Sequence, residues 1–140
     1  MQGKSIAQIQ MGDSAYVEKT ISESDVYLYA GIVGDNNSAH INAVEAEKGI
    51  FKKRIAHGML GAGLISAALG TQLPGPGCIY LGQDLRFTAP VYFGDTIRAT
   101  VTVSEIKPEK NIVRLVTVCT NQDGKTVIEG TATLMPRKDG

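Results

Sequence analysis

Two rhythms of apolar residues run along the chain. In the second half, Ile97, Ala99, Val101 and Val103 alternate with Thr96, Arg98, Thr100 and Thr102. That period of two is what a strand needs to bury one face and wet the other. Ile79, Leu81, Leu85 and Phe87 alternate likewise, with Gln83 interrupting, and Ile112–Thr120 and Val127–Met135 supply two further strands. Asp123-Gly124 between the last two is a strong hairpin signal. Pro90 and Gly94-Asp95 punctuate the earlier turn.

The first half is helical and loop-rich after an opening strand at Ala15–Ile21. Ser22 is placed as an N-cap, and Asp25 three residues on makes a variant of the capping box. The pattern predicts a helix through Val26, Tyr29, Ala30 and Val33, stopped by Gly34. Asp35 to His40 then forms a polar loop, followed by a short helix near Ala43–Lys48. From His57 to about Leu73 the chain is apolar all round, and a helix with no polar face is either a membrane span or surrounded by protein. This one is too short to span. It carries Gly61 and Gly63, which weaken a helix interior, so their presence predicts close approach by another backbone or a ligand.

Long antiparallel strands and one buried helix give an α+β architecture, a curved sheet wrapped around a central helix. The 140 residues suit one domain over 1–140, with no repeat or linker dividing them. Fourteen basic residues balance fourteen acidic ones, so no global field draws the chain to nucleic acid or an anionic membrane. Cys78 and Cys119 lie far apart and lack metal or redox spacing, which predicts free buried thiols in a reducing compartment. The opening MQGKSIAQIQMGDS has no signal-peptide core, and a cytoplasmic protein is expected.

Only two histidines occur, and His40 follows Asp35 by five positions. A carboxylate and an imidazole held together can grip one water from two sides, one accepting a proton while the other orients or returns one. Spacing alone does not single them out, because Asp and Asn favour loops for turn-forming reasons and a loop His is commonly a surface residue. Ala56-His57-Gly58-Met59 opens the apolar helix, where free N–H groups and the positive dipole end gather. Gly58 there would let a carbonyl oxygen approach its N–H, as an oxyanion hole requires; tight packing is an equal explanation.

The order of these motifs carries a family resemblance. Gly34-Asp35-Asn36-Asn37-Ser38-Ala39-His40 resembles the Asp-x-Asn-Pro-x-His loop of MaoC-like (R)-specific enoyl-CoA hydratases, and Arg54-Ile55-Ala56-His57-Gly58-Met59-Leu60 resembles the start of their hot-dog helix. Tyr80-Leu81-Gly82-Gln83-Asp84-Leu85-Arg86-Phe87-Thr88-Ala89-Pro90-Val91, then Gly94-Asp95, is similar to their strand signature. The resemblance implies the hot-dog fold and reversible hydration of a short trans-2-enoyl-CoA to an (R)-3-hydroxyacyl-CoA. It implies that Asp35 and His40 activate the water, and that Gly58, with Asn37 and His57, forms the oxyanion and substrate-binding group. It further implies an acyl-CoA substrate, a homodimer with the substrate tunnel beside its interface, no metal, and no cofactor, coenzyme A being part of the substrate. Ser38 stands where the family usually has Pro, which removes a constraint on the loop. A hot-dog acyl-CoA thioesterase and a non-catalytic acyl-CoA-binding domain are the competing expectations. The run Lys52-Lys53-Arg54 is a solvated face or a contact for coenzyme A phosphates, and Arg86 should pair with Asp84 or Asp95 or line a subunit interface.

Overall fold

The computed structural model describes residues 2–139. Six strands build one antiparallel sheet: β1 (Ser14–Thr20), β2 (Ile79–Gln83), β3 (Arg86–Phe87), β4 (Thr96–Lys107), β5 (Ile112–Thr120) and β6 (Thr126–Met135). They lie in the order β1-β4-β5-β6-β2, with β3 also pairing with β6. Helix α4 (Gly58–Thr71) packs on β4, β1, β5 and β6. The alternation in β4 holds: Ile97, Ala99, Val101 and Val103 are all buried against α4's side of the sheet, meeting Ile65, Ala68 and Leu69. Burying Ile65 and Leu69 stabilises the fold by roughly 1.5–3 kcal/mol each.

The first half arranges itself over the N-terminus of α4. The Ser22–Asp25 capping box forms in both directions, Ser22 Oγ accepting from the Asp25 N–H at 3.1 Å and the Asp25 carboxylate accepting from the Ser22 N–H at 2.9 Å. It starts α1 (Glu23–Val33), which ends at Gly34 with φ of 81°, the left-handed cap that glycine adopts freely. The expected polar loop is in fact helical over its last residues. Asn37 Oδ1 accepts the Ala39 N–H at 2.9 Å and caps a single turn, α2 (Ser38–Ile41). Asn42 caps α3 (Ala43–Glu47) in the same way.

Three further expectations change. The expected strand through Phe87 is two strands, because Asp84 folds over Gly130 of β6: a Cβ at Gly130 would lie 2.0 Å from the Asp84 carbonyl oxygen. The two main chains bind there, with Asp84 N–H donating to Thr131 O and Thr131 N–H to the Asp84 carboxylate. β2 is exposed on both faces rather than half-buried. Within α4, Gly61 does meet a neighbour, the Ile128 side chain at 2.8 Å from its notional Cβ, whereas Gly63 has nothing within 4 Å. Gly63 lies with Met59 and Ser66 on a face that this chain leaves open. Among the described residues no helix is long and apolar enough to cross a membrane. Both cysteines are free, and burial pushes the Cys119 thiol up to about 12, so it stays protonated at neutral pH.

Candidate active site

Gly34 ends α1, and Asp35 follows at once. α2 carries His40, and the segment ahead of α4 runs alongside it, with Ile55 N–H donating to Ala39 O at 3.0 Å and Ala56 N–H to Val91 O at 2.8 Å. His57 and Gly58 then open α4. Three short elements thus converge on one helix N-terminus, and α2 and the segment ahead of α4 are joined by a main-chain bond that does not depend on the reactive side chains.

The imidazole tautomers follow from their partners. His40 Nδ1 lies 2.7 Å from the Ile55 carbonyl oxygen. A carbonyl only accepts, so Nδ1 donates, and in the neutral ring Nε2 keeps its lone pair. His57 is the reverse case: Nε2 lies 2.9 Å from the Asp35 carbonyl oxygen and donates to it. The two rings stack with centroids 3.9 Å apart and planes 28° from parallel, and Tyr29 packs on His57 at 4.8 Å. Asp35 is exposed and one carboxylate oxygen accepts the Asn37 N–H at 3.2 Å. One carboxylate oxygen of Asp35, one ring nitrogen of His40 and one of His57 lie within 4.8 Å of one another. Asp35 and His40 share no direct hydrogen bond, and two groups brought this close leave room for one water at about 2.8 Å from each.

His40 borders an apolar cavity of about 440 Å³, whose walls include Phe51, Gly58, Met59, Phe87 and Val91. The N–H of Gly58 is among those the first turn of a helix leaves without intrahelical partners. A Cβ on Gly58 would lie 2.7 Å from the Phe87 ring, so any side chain there would have to displace that ring from the helix end. Asn37, expected to bind substrate, is exposed and spends its side-chain oxygen on capping α2. His57 is buried behind His40, 3% exposed. Phe87 is not among the expected site residues; its signals are its position in an alternating strand and in the stretch that resembles the family's strand signature.

The basic run divides by role. Arg54 pairs with Glu23 at 3.0 Å and donates to Tyr27 Oη at 2.8 Å, while Lys53 sits 4.4 Å above the Tyr92 ring. Lys52 is exposed, with φ of 66°. Arg86 pairs with neither expected aspartate. Asp84 accepts from Thr131 N–H, and Asp95 accepts from Tyr92 N–H and the Gln122 amide.

Comparison with known proteins gives a consistent picture. The sequence pattern described as MaoC like domain matches residues 6–130. The chain is 59% identical, over 91% of its length and 88% of the relative's, to an (R)-specific enoyl-CoA hydratase of Rhodospirillum rubrum. It is 43% identical to a 3-hydroxybutyryl-CoA dehydratase of Methylorubrum extorquens, covering 94% of this chain and 83% of that one. Among solved structures it is similar to an unliganded R-hydratase of Pseudomonas aeruginosa, PhaJ1, with a TM-score of 0.93 and 46% identity, covering 99% of this chain and 88% of the other.

Proposed function

The chain belongs to the MaoC-like domain family, and from that premise we propose that it adds water reversibly to a short trans-2-enoyl-CoA, giving the (R)-3-hydroxyacyl-CoA. The proposal includes one domain over residues 1–140, a homodimer, a cytoplasmic setting, and coenzyme A entering as part of the substrate with no separate cofactor. The observation that carries it is that His40, whose Nδ1 is spent on Ile55 and whose Nε2 is left free, lines an apolar cavity that also holds the Gly58 end of α4.

The chemistry follows from that arrangement. One water sits between the Asp35 carboxylate and His40 Nε2. The acyl chain lies in the apolar cavity, and its thioester oxygen takes the Gly58 N–H. As the water oxygen bonds to C3, the pair accepts one of its protons, and negative charge moves through C2 onto the thioester oxygen. The helix N-terminus stabilises that charge. A proton from the same pair then bonds to C2, so the hydroxyl and the hydrogen are both added from one face. The overall change is one C–O and one C–H bond made for one O–H and one C–C π bond broken.

The test is incubation with crotonyl-CoA, following loss of the enoyl absorbance and then chiral analysis of the product. Asp35→Asn keeps shape but removes basicity, and should lower turnover by about a hundredfold or more, as should His40→Ala. Release of free coenzyme A without hydration would make the protein a thioesterase. Binding of enoyl-CoA with no turnover would make it a non-catalytic acyl-CoA-binding domain.

A further inference from the structure

We infer that His57 is a positioning residue for the water-activating pair, holding Asp35 through its main chain and His40 through its ring. The inference rests on the hydratase reading for its kinetics, though not for its geometry. The His57 side chain touches both members of the pair. Its Nε2–H donates to the Asp35 carbonyl at 2.9 Å, and its ring lies 3.9 Å from that of His40. It sits at the N-cap position of α4 yet makes no side-chain bond to the helix end, so capping does not explain it. Its Nδ1 is buried with no protein partner among the described residues. A buried acceptor left unpaired is a cost that an apolar side chain would avoid, so the imidazole must serve through its other nitrogen and its flat face.

The contacts supply what the rest of the site lacks. Asp35 is exposed and directly follows the helix-ending Gly34. Its carboxylate takes only the N–H of Asn37, two residues away in the same loop. The bond from His57 ties Asp35 directly to the start of α4, where the next residue, Gly58, carries the proposed oxyanion N–H. His57 therefore fixes the distance between the water and the thioester. On its other face it backs the His40 ring, whose in-plane direction is already set by Ile55.

Two substitutions separate the contacts. His57→Phe keeps a flat ring but loses the donor; His57→Gln keeps an N–H that reaches the Asp35 carbonyl but loses the stack. With crotonyl-CoA, His57→Phe should lower kcat by roughly ten- to a hundredfold while KM holds, and His57→Gln should recover part of that loss. In an Asp35→Asn background His57→Phe should cost less than about threefold more, since groups acting as a unit are not additive. A loss expressed in KM, or one that multiplies fully with that of Asp35→Asn, overturns the inference. A second readout needs no activity. The chain has only two histidines, so long-range proton–nitrogen NMR of the whole protein resolves both rings. His40 should be the Nδ1–H tautomer and His57 the Nε2–H tautomer; a His57 ring protonated on Nδ1 alone would exclude its bond to Asp35. Wild-type protein that binds crotonyl-CoA without hydrating it would remove the hydratase reading and leave the tautomer result to decide the contact.

Discussion

At the scale of single residues, Gly58 and Ser38 show how little side chain the site tolerates in one place and how much in another. Gly58→Val would drive a methyl into the Phe87 ring, which lies 2.7 Å from the notional Cβ, and would crowd the thioester oxygen as well. Turnover on crotonyl-CoA should fall by about a hundredfold or more, with the fold retained by circular dichroism. Partial recovery in a Phe87→Ala background would assign the loss to the displaced ring. Ser38 is the first residue of α2, where a missing N–H is harmless, and Asn37 before it has φ of −53° and ψ of 134°, a conformation that proline tolerates in its predecessor. Ser38→Pro should therefore stabilise the protein by roughly 0.4–1 kcal/mol in urea unfolding and leave kcat unchanged. Destabilisation would mean that the turn needs a freedom the geometry does not suggest. The placing of Asp35, His40 and Gly58 near one helix start was legible only through the order of three motifs, since spacing alone does not single them out. The burial of His57 behind His40 was not, because it depends on two segments meeting from 17 positions apart.

Elements were readable in proportion to their length and regularity. β4 shows its period of two over enough residues to leave no ambiguity, and α1 carries a start signal and a stop signal that both operate. Ser22→Ala deletes the acceptor for the Asp25 N–H and should cost about 1 kcal/mol, seen as a fall of a few degrees in Tm. The Ser22 N–H and then Lys19 hold the Asp25 carboxyl below its ordinary range. The stability this brings is complete above the ordinary carboxylate pKa and is lost as pH falls through the lowered value. Shorter elements escaped. α2 has four residues, less than one repeat of any helical pattern beyond the first turn, and its cap, Asn37, is equally at home in a loop. The split between β2 and β3 depends on Asp84 folding over Gly130, a contact across 46 positions that no local alternation reports. Gly61 and Gly63 look alike in sequence, and only the side of α4 that meets Ile128 distinguishes them.

At the scale of the whole molecule, the sheet has two edges of opposite character. β1 carries Glu18 and Lys19, with Glu18 paired to Arg98 at 2.8 Å, and charges of this kind discourage pairing with another strand. β2 reads Ile79-Tyr80-Leu81-Gly82-Gln83 and holds no charge, yet Ile79 and Leu81 are 56% and 50% exposed. Met59 of α4 and Phe87, at 54% and 52%, are open as well and share a wall of the cavity. An uncharged β2, open on both faces, together with the exposed Met59 and Phe87 calls for a partner, and a second copy related by a two-fold axis supplies the same strand and side chains in return. We expect a homodimer in which β2 meets β2 of the other copy and the cavity rim lies beside the contact. Light scattering at micromolar concentration should give twice the 14.9 kDa chain mass. Ile79→Lys with Leu81→Lys places on this edge the residue type that blunts natural ones; it should return the mass to that of one chain and lower turnover with it, because Met59 and Phe87 would then face water. Wild-type protein that runs as a monomer with full activity would show that the edge needs no partner and that one chain completes the site.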